Sequence, residues 1–64
     1  MTRITIDEFN AKLAAAERVT DTGSMTSTRR GVYYHLYTGL NCVVWFVGLA
    51  LDEKPLQVIV ERVG

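Results

Sequence analysis

The chain lacks most of what small proteins use to staple themselves together or to do chemistry. Its 64 residues include one cysteine, one histidine, one proline and one tryptophan. A single cysteine excludes an intramolecular disulfide, and one cysteine with one histidine falls short of a closed zinc site. Seven basic residues balance seven acidic ones, so no overall field draws the protein to nucleic acid or to an anionic membrane. The opening residues, MTRITIDEF, hold no apolar run and carry acids early. A secretory signal is therefore not expected, and a cytoplasmic protein is. Glycine, proline and serine are too sparse for a long linker, and no repeat is visible. A chain of this length reads as one domain, 1–64, that buries only about 60% of its unfolded surface.

Charge is missing altogether from residues 31–51, GVYYHLYTGLNCVVWFVGLAL. The length suits a membrane-spanning helix, but His35, Thr38, Gly39 and Asn41 interrupt it, and the flanking charges give no clear orientation. Val, Tyr, Trp and Phe on either side of Thr38-Gly39-Leu40-Asn41 point instead to a β-hairpin at the centre of a sheet. Gly39-Leu40 fits a type II′ loop, whose first central position needs glycine. That loop pairs Tyr37 with Cys42, Tyr34 with Trp45 and Tyr33 with Phe46.

Before the hairpin, Thr5 and Glu8 make a capping box at the start of a helix expected over Ile6–Val19. Ile6, Phe9, Leu13, Ala16 and Val19 fall on one face of it, and Glu8 can pair with Lys12 at i, i+4. Residues 1–4 read as a frayed lead-in. Thr20-Asp21-Thr22-Gly23 reads as a turn. Residues 24–30 fit either a polar edge strand or a loop; as a strand, a turn at Arg30-Gly31 would pair Ser27 with Tyr34. After the hairpin, Asp52–Pro55 forms a turn, and Leu56–Glu61 a strand whose Leu56, Val58 and Val60 oppose Leu51, Leu49 and Val47. The expected fold class is α+β: one N-terminal helix on one face of a three- or four-stranded antiparallel meander.

These registers sort the side chains into two faces. One gathers Val32, Tyr34, Leu36, Val43, Trp45, Val47, Leu49, Leu51, Leu56, Val58 and Val60, extended by Met25 if the first strand exists. The helix belongs there, with Trp45 as the most buried aromatic. The other gathers Tyr33, His35, Tyr37, Cys42, Val44, Phe46, Gln57, Ile59 and Glu61. One helix cannot cover both faces, so this second face is expected to be open in a monomer and to bind a partner through Tyr33, His35, Tyr37, Val44, Phe46 and Ile59. A homodimer stacked on this face is the simplest closed arrangement; the alternative is a monomer whose N-terminal segment or 20–30 loop folds over the patch.

Three chemistries compete for the second face. His35 and Cys42 are diagonal neighbours, but a Cys-His nucleophile needs a third group to orient the base. Glu61 is the only acid on that face, on a strand not adjacent to that of His35. Tyr33 and Tyr37 with Arg29 and Arg30 could stack and hold nucleic-acid bases, yet zero net charge weakens the phosphate attraction that drives such binding. Burial in a protein interface needs neither feature.

In outline, a lone helix followed by an antiparallel meander resembles double-stranded-RNA-binding modules, whose C-terminal helix has no counterpart in these residues. In size and in the lack of a catalytic constellation the chain is similar to small phage-encoded inhibitors, including anti-CRISPR proteins. That resemblance implies a non-enzymatic protein that binds and blocks a partner. The expectation is a small protein–protein interaction module with no cofactor or metal. Nucleic-acid binding is the alternative, and no membrane association is expected.

Overall fold

The computed structural model describes residues 2–64. Helix α1 (Ile6–Ala15) precedes four strands, β1 (Arg18–Met25), β2 (Arg29–Thr38), β3 (Asn41–Ala50) and β4 (Val58–Val63). The strands form one antiparallel meander in the order β1-β2-β3-β4, which is the α+β class expected. Among the described residues no helix is long and apolar enough to cross a membrane. The uncharged run is the β2–β3 hairpin.

That hairpin has the register set by its turn chemistry. Thr38 pairs with Asn41, Tyr34 with Trp45 and Tyr33 with Phe46. Gly39 has φ +58 and among the described residues no non-glycine residue has a positive φ, so Leu40 takes the negative φ of a type II′ loop. The β3–β4 register also follows the alternation, with Leu49 opposite Val58 and Val47 opposite Val60. β4 itself runs two residues later than expected, to Val63.

The Thr5 half of the capping box forms: Thr5 Oγ1 accepts from the Glu8 amide at 3.1 Å, while Glu8 Oε1 accepts at 3.3 Å from the Thr5 hydroxyl instead of its amide. This draws Glu8 back to the cap. Among the described residues no ion pair joins it to Lys12, whose Nζ lies 5.6 Å from the Trp45 ring centroid instead.

The helix stops at Ala15, four residues short of the expected Val19. Ala16 is extended (φ −72, ψ 141), and the Glu17 amide already donates to the Tyr37 carbonyl at 2.9 Å. The ladder along β2 offers Val19 and Thr20 a pleated environment that suits β-branched side chains better than a helix end. Thr20-Asp21-Thr22-Gly23 is accordingly strand, with Val19 opposite Leu36 and Thr22 opposite Tyr33. The reversal falls at Thr26–Arg29 rather than at Arg30-Gly31. There Thr26 Oγ1 accepts from the Arg29 amide at 2.9 Å, and the Thr26 amide donates to the Arg29 carbonyl at 2.7 Å. A threonine hydroxyl thus imitates a backbone turn.

α1 lies on the expected face. Phe9, Leu36, Trp45 and Val60 form its buried centre, with Ile4, Leu13, Ala16, Tyr34, Val43 and Val47 packed around them. Phe9 meets the Tyr34 and Trp45 rings at centroid distances of 5.4 and 6.5 Å. The core is shorter than the alternation suggests: Met25, Leu51, Leu56 and Val58 are exposed. A ten-residue helix is about 15 Å long, whereas the ten-residue β3 runs about 33 Å. The helix covers roughly half the face, and Leu51 and Leu56 sit in the loop beyond it.

Of the lead-in, Met1 lies outside the described residues, and Thr2–Ile4 are ordered. The Ile4 amide donates to the Val60 carbonyl at 3.0 Å and the Arg62 amide to the Thr2 carbonyl at 2.8 Å, with Arg3 bridged to Glu61. Thr2–Ile4 therefore cover the outer edge of β4, leaving β1 as the open edge of the sheet.

Candidate functional site

Alternation places Tyr33, His35 and Tyr37 of β2, Cys42, Val44 and Phe46 of β3, and Ile59 and Glu61 of β4 on the second face. The β1 register adds Arg18, Thr20 and Thr22 opposite Tyr37, His35 and Tyr33. No helix lies on this face among the described residues, yet its two ends differ.

One end is sealed. Phe46 is 1% exposed and packs with buried Ala50 and Ile59 and the edge of Tyr33. Its ring lies over the Gly31–Gly48 pair, where neither strand carries a side chain. Across the ring sits the Arg29 guanidinium, 5.6 Å from the centroid. Arg29 Nη2 is 3.1 Å from Oε2 of Glu61, and Arg3 Nε donates to Oε1 at 2.7 Å. Arg3 also reaches Glu53 at 3.4 Å. The hydrogen bond to Glu61 raises the Arg3 pKa above its ordinary value, against a smaller opposing effect of desolvation.

Phe46 and Ile59 were expected to lie open on a partner-binding face, and they do not: both are core residues of the single chain. The alternative to a partner was a monomer whose N-terminal or 20–30 segment folds over the patch, and a residue from each region, Arg3 and Arg29, lies there. The Arg29 guanidinium over the Phe46 ring does the covering, with Arg3 bound beside it to Glu61.

Glu61 is 1% exposed, and its two oxygens are held differently. Oε1 accepts a directed hydrogen bond, whereas Oε2 lies within ion-pair distance of Arg29 but at an angle too poor for one. Removing Arg29 leaves that oxygen buried without its own ion-pair partner, since Arg3 holds Oε1, and bares the Phe46 ring. Arg29→Ala is expected to destabilise the fold by about 2 kcal/mol, below the usual cost of breaking a buried pair because Arg29 is partly exposed. Arg29→Ala combined with Glu61→Gln should recover part of the loss in urea denaturation. No recovery would mean the ion pair contributes nothing beyond packing.

The other end is open. Tyr37, His35 and Val44 are half-buried, and Cys42, Thr20 and Val63 are exposed. Arg18 stacks on the Tyr37 ring at 4.1 Å from its centroid. A wide hollow bounded by Arg29, Tyr33, Glu61 and Val63 adjoins this strip.

The structure divides the residues considered for nucleic acid. Arg29 shares the second face with Tyr33 and Tyr37 but is engaged with Glu61, and Arg30 sits on the opposite face, across from Leu49. They make no joint clamp. Among the described residues no hydrogen bond links His35 to Cys42, and Glu61 is held by two arginines. No group of three or more His, Cys, Asp or Glu able to hold a metal occurs among the described residues.

Two contacts escaped the sequence reading. Glu61 shares its face with Ile59 in an apolar strand, and a buried acid there implies a cationic partner; that signal was legible, though the identity of its partners was not. The Arg18–Tyr37 stack was hidden because Arg18 was assigned to the helix. Comparisons with protein-family models, curated proteins and solved structures found no match.

Proposed function

We propose that the chain is a small non-enzymatic binding module that docks a protein partner on the open end of its second sheet face, through Tyr33, His35, Tyr37 and Val44. The observation that supports this reading is a half-buried aromatic strip on a sheet face that neither α1 nor the arginine cover occupies. Tyrosine suits such a surface, since its ring buries well and its hydroxyl tolerates water. Phe46 and Ile59 act from beneath, holding the strip in place rather than touching the partner. A second copy related by a twofold axis would close the surface most simply. A foreign protein, bound and blocked, would match the resemblance to phage-encoded inhibitors such as anti-CRISPR proteins.

Nucleic-acid binding is kept as a second reading for one reason, the Arg18 guanidinium stacked on Tyr37 at the open end. Base stacking uses this kind of platform.

Val44→Asp tests the first reading, because Val44 is only half-buried and its loss spares both cores. Its self-association by sedimentation, or its retention of a partner in pull-down, should weaken at least tenfold while the melting temperature changes little. Unchanged association would remove this surface as the binding site. Salt separates the two readings: a phosphate-driven complex loses affinity steeply between low and physiological ionic strength, and an apolar interface does not.

A further inference from the structure

We propose that the face beneath α1 carries a separate ligand site, for a small amphipathic anion with a carboxylate on an apolar body. A cavity of about 330 Å³ opens between the C-terminal half of α1 and the sheet, at the small end of the range of about 300–1,000 Å³ typical of ligand pockets. It exists because the helix ends early. After Ala15 the chain turns extended and joins the edge of β2, and Ala15 and Ala16 line the gap with methyl groups only.

Leu36, Val43 and Trp45 give the cavity an apolar floor, and its rim carries Lys12 from α1 and Arg62 from β4. Among the described residues neither cation is in an ion pair. Two nearby acids are held in other hydrogen bonds. Glu8, one turn before Lys12, is drawn into the Thr5 cap, and Glu17 accepts from the Gly39 amide at 3.0 Å. Among the described residues no aspartate or glutamate lines the cavity. Lys12 stands over the Trp45 ring, so its charge is held at the cavity mouth. It also offsets the negative end of the helix dipole. Arg62 comes from another element and is left without such a role.

Two cations beside Trp45, at the rim of an apolar floor, match a ligand with one anionic head and one apolar body. Charge-assisted hydrogen bonds would fix the head, and burial against Trp45 the body. The site lies on the face opposite Tyr37 and Val44, so it can be tested independently of the protein-binding surface.

Trp45 is the only tryptophan, so its emission reports occupancy directly. Octanoate is the probe, with octan-1-ol as the uncharged control of equal chain length. Octanoate should give a saturable change and bind at least tenfold more tightly than octan-1-ol. Lys12→Gln and Arg62→Gln should each weaken octanoate by roughly tenfold, the usual scale for losing one charged hydrogen-bond partner, and leave octan-1-ol unaffected. Both residues are exposed, so the variants should fold. Arg30→Gln, at the other end of the same face, should bind as wild type does. Equal affinity for acid and alcohol, no saturable change with octanoate, or equal weakening by Arg30→Gln would each overturn the site.

Discussion

Phe46→Ala and Trp45→Ala are each expected to cost about 3–5 kcal/mol, the range for truncating a buried aromatic. Small domains have only about 5–15 kcal/mol to lose, and this one is near the lower end by size. Either variant should therefore be largely unfolded in mild urea. The two residues are neighbours in β3, so they point to opposite faces and anchor different cores. Trp45 holds α1 to the sheet with Phe9, Leu36 and Val60. Phe46 holds the other side with Ile59 and Ala50. Trp45 was expected to be the deepest aromatic, but at 5% exposed it is slightly shallower than Phe46 at 1% and Phe9 at 2%. Phe46→Asp should consequently unfold the chain instead of only separating a dimer. A Phe46→Ala protein with a wild-type urea midpoint would show that the second core adds nothing to stability.

Gly48→Ala is the other change with a large expected effect, and Gly31→Ala should behave alike. The two glycines face each other across β2 and β3. A Cβ on Gly48 would lie 2.7 Å from the Gly31 Cα and 2.9 Å from Phe46 Cζ, and would also strike the Arg30 carbonyl oxygen. Two of these three neighbours are backbone, which no rotamer change can move. The strands would have to separate where Phe46 packs, at a cost of about 3 kcal/mol or more, the upper end of overpacking. Gly23→Ala is the control, because nothing lies within 4 Å of its added carbon. It should stay within about 0.5 kcal/mol of wild type in urea denaturation. If Gly48→Ala matched it, the close approach of the strands would not be the reason for glycine there.

How much could be read in advance differs sharply between segments. The β2–β3 hairpin was legible because its evidence is local: a glycine with positive φ and two β-rich flanks set the register residue by residue. The β3–β4 register followed from alternation alone. β1 was misplaced because its sequence signals conflict. Val19 fits both a helical stripe and a strand, and Asp21-Thr22-Gly23 resembles a turn while lying in a ladder. Only the length of β2, a partner awaiting hydrogen bonds, decides in favour of the strand. Of the candidate site, the open strip of Tyr33, His35, Tyr37 and Val44 was named from sequence. The burial of Phe46 and Ile59 within one chain stood only as the alternative to a partner.

By itself the sequence determined the α+β class, the meander, two of three registers, the helix cap and the division of side chains between two faces. These depend on interactions a few residues apart or on strict alternation, so neighbouring residue types suffice to specify them. Tertiary structure alone decided where α1 stops, that Thr2–Ile4 line the edge of β4, and that Arg3 and Arg29 converge on Glu61 to seal half of the second face. Those outcomes join residues from opposite ends of the chain through long, flexible side chains. Neither periodicity nor turn chemistry records which distant arginine a buried carboxylate will meet, because that choice is made by the packed geometry once the sheet has formed.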